Sequence, residues 1–255
     1  MSTTSTAAPA LTRVLAQGKF ETIAMLKNGE QLMLNIAFPI MGLLALAYTG
    51  FLDPWASRYG VSRVDIAVPG VLALCVLSTA LSGQGIATGF DRRYGVLRFI
   101  STTPLGKGGL IAGKVLAVLS VLLIQYLLVG ALGQLLGWTA TVPGVLMSLP
   151  TLLLGAACFT SLGLLIAGTV RAEATLAIVN MAWVLLAAAG GILIPTDRYP
   201  AWLGFIIDLL PSAALGNALR GDYIYHSFLL LPHLILVIAT VVFATLATRF
   251  FKWSA

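Results

Sequence analysis

The stretch GKGGLIAGKVLAVLSVLLIQYLLVG, residues 106–130, decides the fold. Gly108, Gly113 and Lys114 make G-x-x-x-x-G-K, a phosphate-binding loop in all but its last residue. That motif needs Ser or Thr after the lysine, because the hydroxyl holds magnesium. Val115 stands there instead. A phosphate loop also comes after a buried strand. Here the preceding residues, FDRRYGVLRFISTTPL, are charged and do not read as a strand. A long apolar run begins at Val115. The expected structure is a glycine-rich turn leading into a membrane helix, with Lys114 at the helix start.

Composition agrees. Of 255 residues, 59% are hydrophobic and only 9% charged, against about 25% charged in soluble domains. The chain reads as an all-α polytopic membrane protein. Cys75 and Cys158 sit inside apolar runs, as small packing residues do. They imply neither a disulfide framework nor a metal site. The lead at 1–9 is polar and reads as disordered. No apolar segment comes directly after it, which argues against a cleavable signal peptide.

Five stretches lack Asp, Glu, Lys and Arg: 31–52, 66–90, 115–170, 174–196 and 223–248. A helix needs about 20 apolar residues to cross the hydrocarbon core. Four stretches fit one crossing each. The longest holds two, with GWTATVPG at 137–144 as the turn between them. Six spans result, at about 32–52, 66–88, 112–136, 144–169, 174–194 and 227–249, and 32–255 forms one six-span domain. Residues 10–31 are too polar to span. Leu11, Val14, Leu15, Met25 and Leu26 fall roughly on one face, as in a helix lying on the cytoplasmic membrane surface.

Lys and Arg set the orientation. With both termini cytoplasmic, the inner side holds Arg13, Lys19, Lys27, Arg92, Arg93, Arg98, Lys107, Lys114, Arg171, Arg249 and Lys252. The outer side keeps only Arg58, Arg63, Arg198 and Arg220. This asymmetry also accounts for the net charge of +6 without a nucleic-acid partner.

No span carries Asp, Glu, Lys or Arg in its middle. Proton- and sodium-driven transporters need such groups. His233 is the one titratable exception and reads as an interface residue. An intramembrane enzyme is disfavoured as well. There are two histidines, His226 and His233, neither in a ligand motif, and the serines within spans lack a basic partner. No catalytic residue and no metal ligand is expected. Gln84, Gln125 and Asn180 either line a pathway or hydrogen-bond between helices.

The loop GFDRRYGVLRFISTTPLGKGGLIAGK, residues 89–114, carries five basic residues and one acid. Its first part suits a short helix with Val96, Leu97 and Ile100 on one side. On charge alone it is an ordinary positively charged inner loop. It resembles the signature of the type-2 permease family of ATP-binding-cassette (ABC) transporters, the daunorubicin-resistance type. Asp91, Arg92 and Arg93 stand for that family's acidic-basic pair, and Gly95, Val96 and Leu97 for its Gly-Thr-Leu. Thr103 and Pro104, then Gly113 and Lys114, complete the pattern, with Tyr94 and Arg98 in between. Arg98 is a departure, since many relatives carry an acid after the Leu.

A second stretch, GGILIPTDRYPAWLGFIIDLLPSAALGNALRG at 190–221, resembles the family's region after the fifth span. Pro195, Pro200, Trp202, Pro211 and Arg220 occupy its marked places. Residues 201–210 are apolar but too short to cross, and suit a re-entrant hairpin on the outer face.

The resemblance implies a multi-pass permease of the plasma membrane with a separate cytoplasmic ABC ATPase as partner. ATP and magnesium would sit on that partner, and this chain would hold no cofactor. A second permease chain, identical or related, would complete the pathway among membrane lipids. Asp91–Pro104 would form the coupling contact. The expected function is export of a hydrophobic or amphipathic, drug-like or lipid-like molecule. The alternatives are export of a lipid-linked or glycan precursor, or a non-transporting membrane scaffold.

Overall fold

Short polar side chains set where three of the long helices begin. A computed structural model describes residues 8–253. In it Asn28 closes α1 (Ala10–Lys27) and accepts from Gln31 N at 3.2 Å, opening α2 (Gly29–Tyr48). After α3 (Asp53–Tyr59), Ser62 and Asp65 form a reciprocal capping box that starts α4 (Arg63–Val76). That helix continues through a π-helical stretch, Leu77–Gly83, into α5 (Gln84–Arg93), giving one unbroken span of 31 residues. Next come α6 (Val96–Ser101) and α7 (Gly106–Leu135). Thr141 accepts from Gly144 N at 3.2 Å to start α8 (Val142–Thr169). The order closes with α9 (Ala172–Ala189), α10 (Ala201–Asp208), α11 (Pro211–Arg220) and α12 (Leu230–Phe250).

Six helices among the described residues are long and apolar enough to cross a membrane. They are the six expected from the charge-free runs, with shifted ends. The first span starts at Gly29 and stops at Tyr48, because Gly50–Leu52 tightens into a 3-10 turn and α3 comes next. The fifth stops at Ala189 instead of 194, giving way to an irregular segment. The helix expected over 10–31 stops at Lys27, where Asn28 caps. At 30 residues, α7 is about 45 Å long and exceeds the roughly 30 Å hydrocarbon core. Most of the lead at 1–9 lies outside the described residues.

The second span is the hub, and the window that marks it as a span is 100% buried. α2, α7, α8, α9 and α11 all pack on it. It meets α8 backbone to backbone: a Cβ on Gly163 would lie 2.9 Å from Leu81 O. Small residues let helix backbones meet in this way within a membrane. Gly163→Ala should therefore destabilise by about 1–3 kcal/mol, as overpacking does. Gly42→Ala, on an open face of α2, should be neutral. Thermal melts of the purified protein measure both.

The two ends differ. At one end α1, the 89–104 loop and Phe251 gather. At the other, α3 meets the segment before α10: Asp197 accepts from Trp55 Nε1 at 2.6 Å and Tyr59 Oη at 3.0 Å, and pairs with Arg58. Burial, with the Asp197 carboxylate beside it, holds the Tyr59 hydroxyl well above the usual phenol range. The first is the loop end and the second the hairpin end.

Candidate functional site

At the loop end the chain turns sharply. Gly95 has φ +79°, a left-handed conformation that glycine adopts without cost. A Cβ there would meet open space, so backbone angle and not crowding demands the glycine. The turn swings α6 back under the bundle. Leu97 and Ile100 of α6 are buried against Leu110, Leu164 and Phe251. Val96, expected on the same face, is exposed. Thr103 donates to Ile100 O at 2.7 Å and leads to an exposed Pro104. The outward surface is formed by Tyr94, Arg98 and Phe99, the two aromatics each 73% exposed.

The charged residues before the turn divide. Arg93 faces out and pairs with Glu173. Arg92 is buried and donates to Ala167 O at 2.8 Å and Val170 O at 2.5 Å. The last carbonyls of a helix lack intrahelical partners and carry partial negative charge. Arg92 therefore caps the end of α8 and is turned away from the loop surface.

Lys114 is not at a helix start. α7 begins at Gly106, so Lys114 lies two turns inside and is 0% exposed. Its Nζ donates to Glu21 at 2.9 Å and Gln84 Oε1 at 3.3 Å, and lies 3.5 Å from Asp91 Oδ2. Gln17 Nε2 donates to Glu21 at 2.9 Å. This ion cluster joins α1, α5 and α7. It also explains how α1 docks. Gly18 and Glu21 are its buried residues, while Leu11, Leu15 and Leu26 are exposed. Of the apolar face read from sequence, those three leucines are left free, whereas Val14 and Met25 are half-buried, Val14 beside Gly109 of α7 and Met25 accepting from Gln84 Nε2 at 3.0 Å.

Beside this cluster a cleft of about 760 Å³ opens between α2 and α9. Its floor is the second span, at Ser78, Ser82 and Ile86. Gln31, Asn35 and Phe38 line the α2 side, and Leu176, Asn180 and Trp183 the α9 side. Trp183 Nε1 donates to Ser78 Oγ at 2.9 Å. The π-helical stretch carries both serines, and such stretches cluster at functional sites. Asp91 closes the loop end of the cleft.

The three amides singled out by sequence separate here. Asn180 lines the cleft. Gln84 belongs to the ion cluster. Gln125 is buried, accepting from Thr79 Oγ1 at 3.0 Å and donating to Asn35 O at 2.7 Å, so it fastens helices together. Sequence reasoning missed Asn35, Ser78 and Trp183, which look like any other residue of an apolar run. It missed the ion cluster because Glu21, Asp91 and Lys114 are far apart along the chain. An available signal was a lysine with apolar neighbours on both sides, two turns into α7.

At the hairpin end, Pro195 precedes a 3-10 turn, Pro200 caps α10 and Pro211 opens α11. α10 meets Pro211–Tyr225 at 90°. Trp202 and Phe205 of α10 are exposed, while most of α11 is buried. Arg220 is also buried, donating to Gly191 O at 2.7 Å and Ile192 O at 2.8 Å. Irregular backbone at membrane depth needs such partners. His233 is buried, within 2.9 Å of Thr151 Oγ1, which donates to Asp222 at 2.7 Å.

A family model described as ABC-2 type transporter matches residues 12–224, from α1 through the hairpin. No curated protein matches the chain.

Proposed function

The chain belongs to the ABC-2 type transporter family, and from that premise we propose that it is the membrane subunit of an ATP-driven exporter in the plasma membrane. Its cargo is a hydrophobic or amphipathic molecule, and a separate ABC ATPase supplies the energy. The observation that carries this reading is a continuous path between two surfaces. The exposed Tyr94–Arg98–Phe99 surface sits on α6, which Leu97 and Ile100 clamp to the bundle. One tight turn joins α6 to α5, and α5 belongs to the span that floors the cleft. Closure of an ATPase dimer against α6 would thus push directly on the cleft floor.

A second permease chain fits the same geometry. Asn180 is exposed at mid-span and makes no hydrogen bond among the described residues. An unpaired amide facing hydrocarbon costs free energy, roughly 2–7 kcal/mol on transfer scales. A second copy across α2 and α9 would cover it and close the cleft into a pathway.

This reading requires the loop end to be cytoplasmic. The distribution of Lys and Arg supports that side. In a background lacking Cys75 and Cys158, a cysteine at Ala201 should react with a membrane-impermeant thiol reagent in intact cells. A cysteine at Ser101 should react only after permeabilisation. The reverse pattern would overturn the orientation. Reconstitution with the ATPase subunit then tests export itself: ATP should drive movement of cargo away from the ATPase side.

A further inference from the structure

The ion cluster is unbalanced in charge. Resting on the exporter reading, we infer that the cleft selects a cargo with a single positive charge, and that Asp91 is the selecting residue.

Lys114 is one ammonium serving two carboxylates, Glu21 and Asp91. With both carboxylates ionised, the cluster is one positive charge short. Its remaining partners among the described residues are neutral, Gln17 and Gln84. The two contacts are unequal: Glu21 is held at 2.9 Å inside the α1–α7 contact, whereas Asp91 lies at 3.5 Å and is the more accessible. Burying an uncompensated charge is costly, and a counter-ion relieves that cost.

Asp91 is also where two cavities meet. It lines the 760 Å³ cleft and a second cavity of about 250 Å³ that reaches Glu21 and Gln84. Among the described residues it is the only charged side chain lining the cleft, and none of those lining either cavity is Lys, Arg or His. The walls suit the rest of such a molecule. Gln31, Asn35 and Asn180 offer amide groups, and Phe38 and Trp183 offer aromatic faces that attract cations. The space is far larger than an inorganic ion needs and falls within the range of small-molecule sites. The occupant is thus an organic monocation with an apolar body, its charged head at Asp91 and its body along the second span. Its arrival would give Asp91 a partner of its own and leave Lys114 to Glu21.

Tetraphenylphosphonium and tetraphenylborate have the same shape and opposite charge, which makes them the probes. Saturable binding to the purified full-length chain is measured in nanodiscs of zwitterionic lipid, with empty nanodiscs subtracted. Asp91→Asn should weaken the phosphonium by about tenfold, the factor that about 1.4 kcal/mol produces, and should leave the borate unchanged or tighter. Asp91→Glu should keep the wild-type preference. Ser82→Trp, which fills the cleft floor without touching a charge, should abolish saturable phosphonium binding. Equal losses for both probes in Asp91→Asn, or full phosphonium affinity in either Asp91→Asn or Ser82→Trp, would overturn the inference. The binding assay contains no ATP and no ATPase. A charge preference without ATP-driven movement in the reconstituted complex would leave this site standing and refute the exporter. Export without the preference would do the opposite.

Discussion

Lys114→Met is expected to destabilise the protein by roughly 3–5 kcal/mol, the cost of removing one partner from a buried ion pair. At about 2–4 °C per kcal/mol for a chain of this size, the melting temperature should fall by roughly 10 °C. The cause is not the lost attraction alone. Glu21 and Asp91 would stay behind without a cation, and Lys114 is 0% exposed. A triple variant, Lys114→Met with Glu21→Gln and Asp91→Asn, removes the stranded charges together and should recover most of the loss. Exposed pairs such as Arg63 with Asp53 should contribute far less, because solvent screens them. Melts of the purified chain by intrinsic fluorescence compare the three. If Lys114→Met melts like wild type, the buried cluster does not hold the three helices together.

The second large effect is expected at the loop surface. Phe99→Ala with Arg98→Glu should reduce co-purification of the ATPase roughly thirtyfold. Truncating a buried aromatic anchor at an interface costs about 2 kcal/mol or more, and reversing a neighbouring charge adds to it. Folding should be unaffected, since both side chains are exposed in the isolated chain. Phe205→Ala, also well exposed but at the hairpin end, is the control and should leave co-purification unchanged. Arg92→Glu is a different experiment. It replaces the donor to Ala167 and Val170 carbonyls with an acceptor, so its defect should appear in folding before docking.

Much of the fold was legible because the membrane imposes it. A charge-free run of sufficient length marks a crossing, and 115–170 is long enough for two. The hairpin was legible from Pro200 and Pro211, which both stand at helix starts for reasons local to the chain. The candidate site was not legible in the same way. Gln84, Gln125 and Asn180 are indistinguishable in sequence, each an amide in an apolar run. Only their neighbours assign the first to an ion cluster, the second to helix fastening and the third to a cleft. Arg92 and Arg93 are adjacent and alike in sequence, yet one caps α8 and the other faces out, because successive helical residues point about 100° apart. Lys114 read as a helix entrance because nothing near it in sequence predicts Glu21 or Asp91 beside it.

Export driven from the loop surface requires an ATPase seated there and coupled to the cleft. The direct measurement places a photo-crosslinking amino acid at position 99, and separately at position 202, in the full chain in native membranes. Mass spectrometry then identifies what each captures. An ABC ATPase subunit captured at 99 and absent at 202 is the predicted result. Capture of the ATPase at 202 and not at 99, or at neither position while the chain still exports, would contradict it.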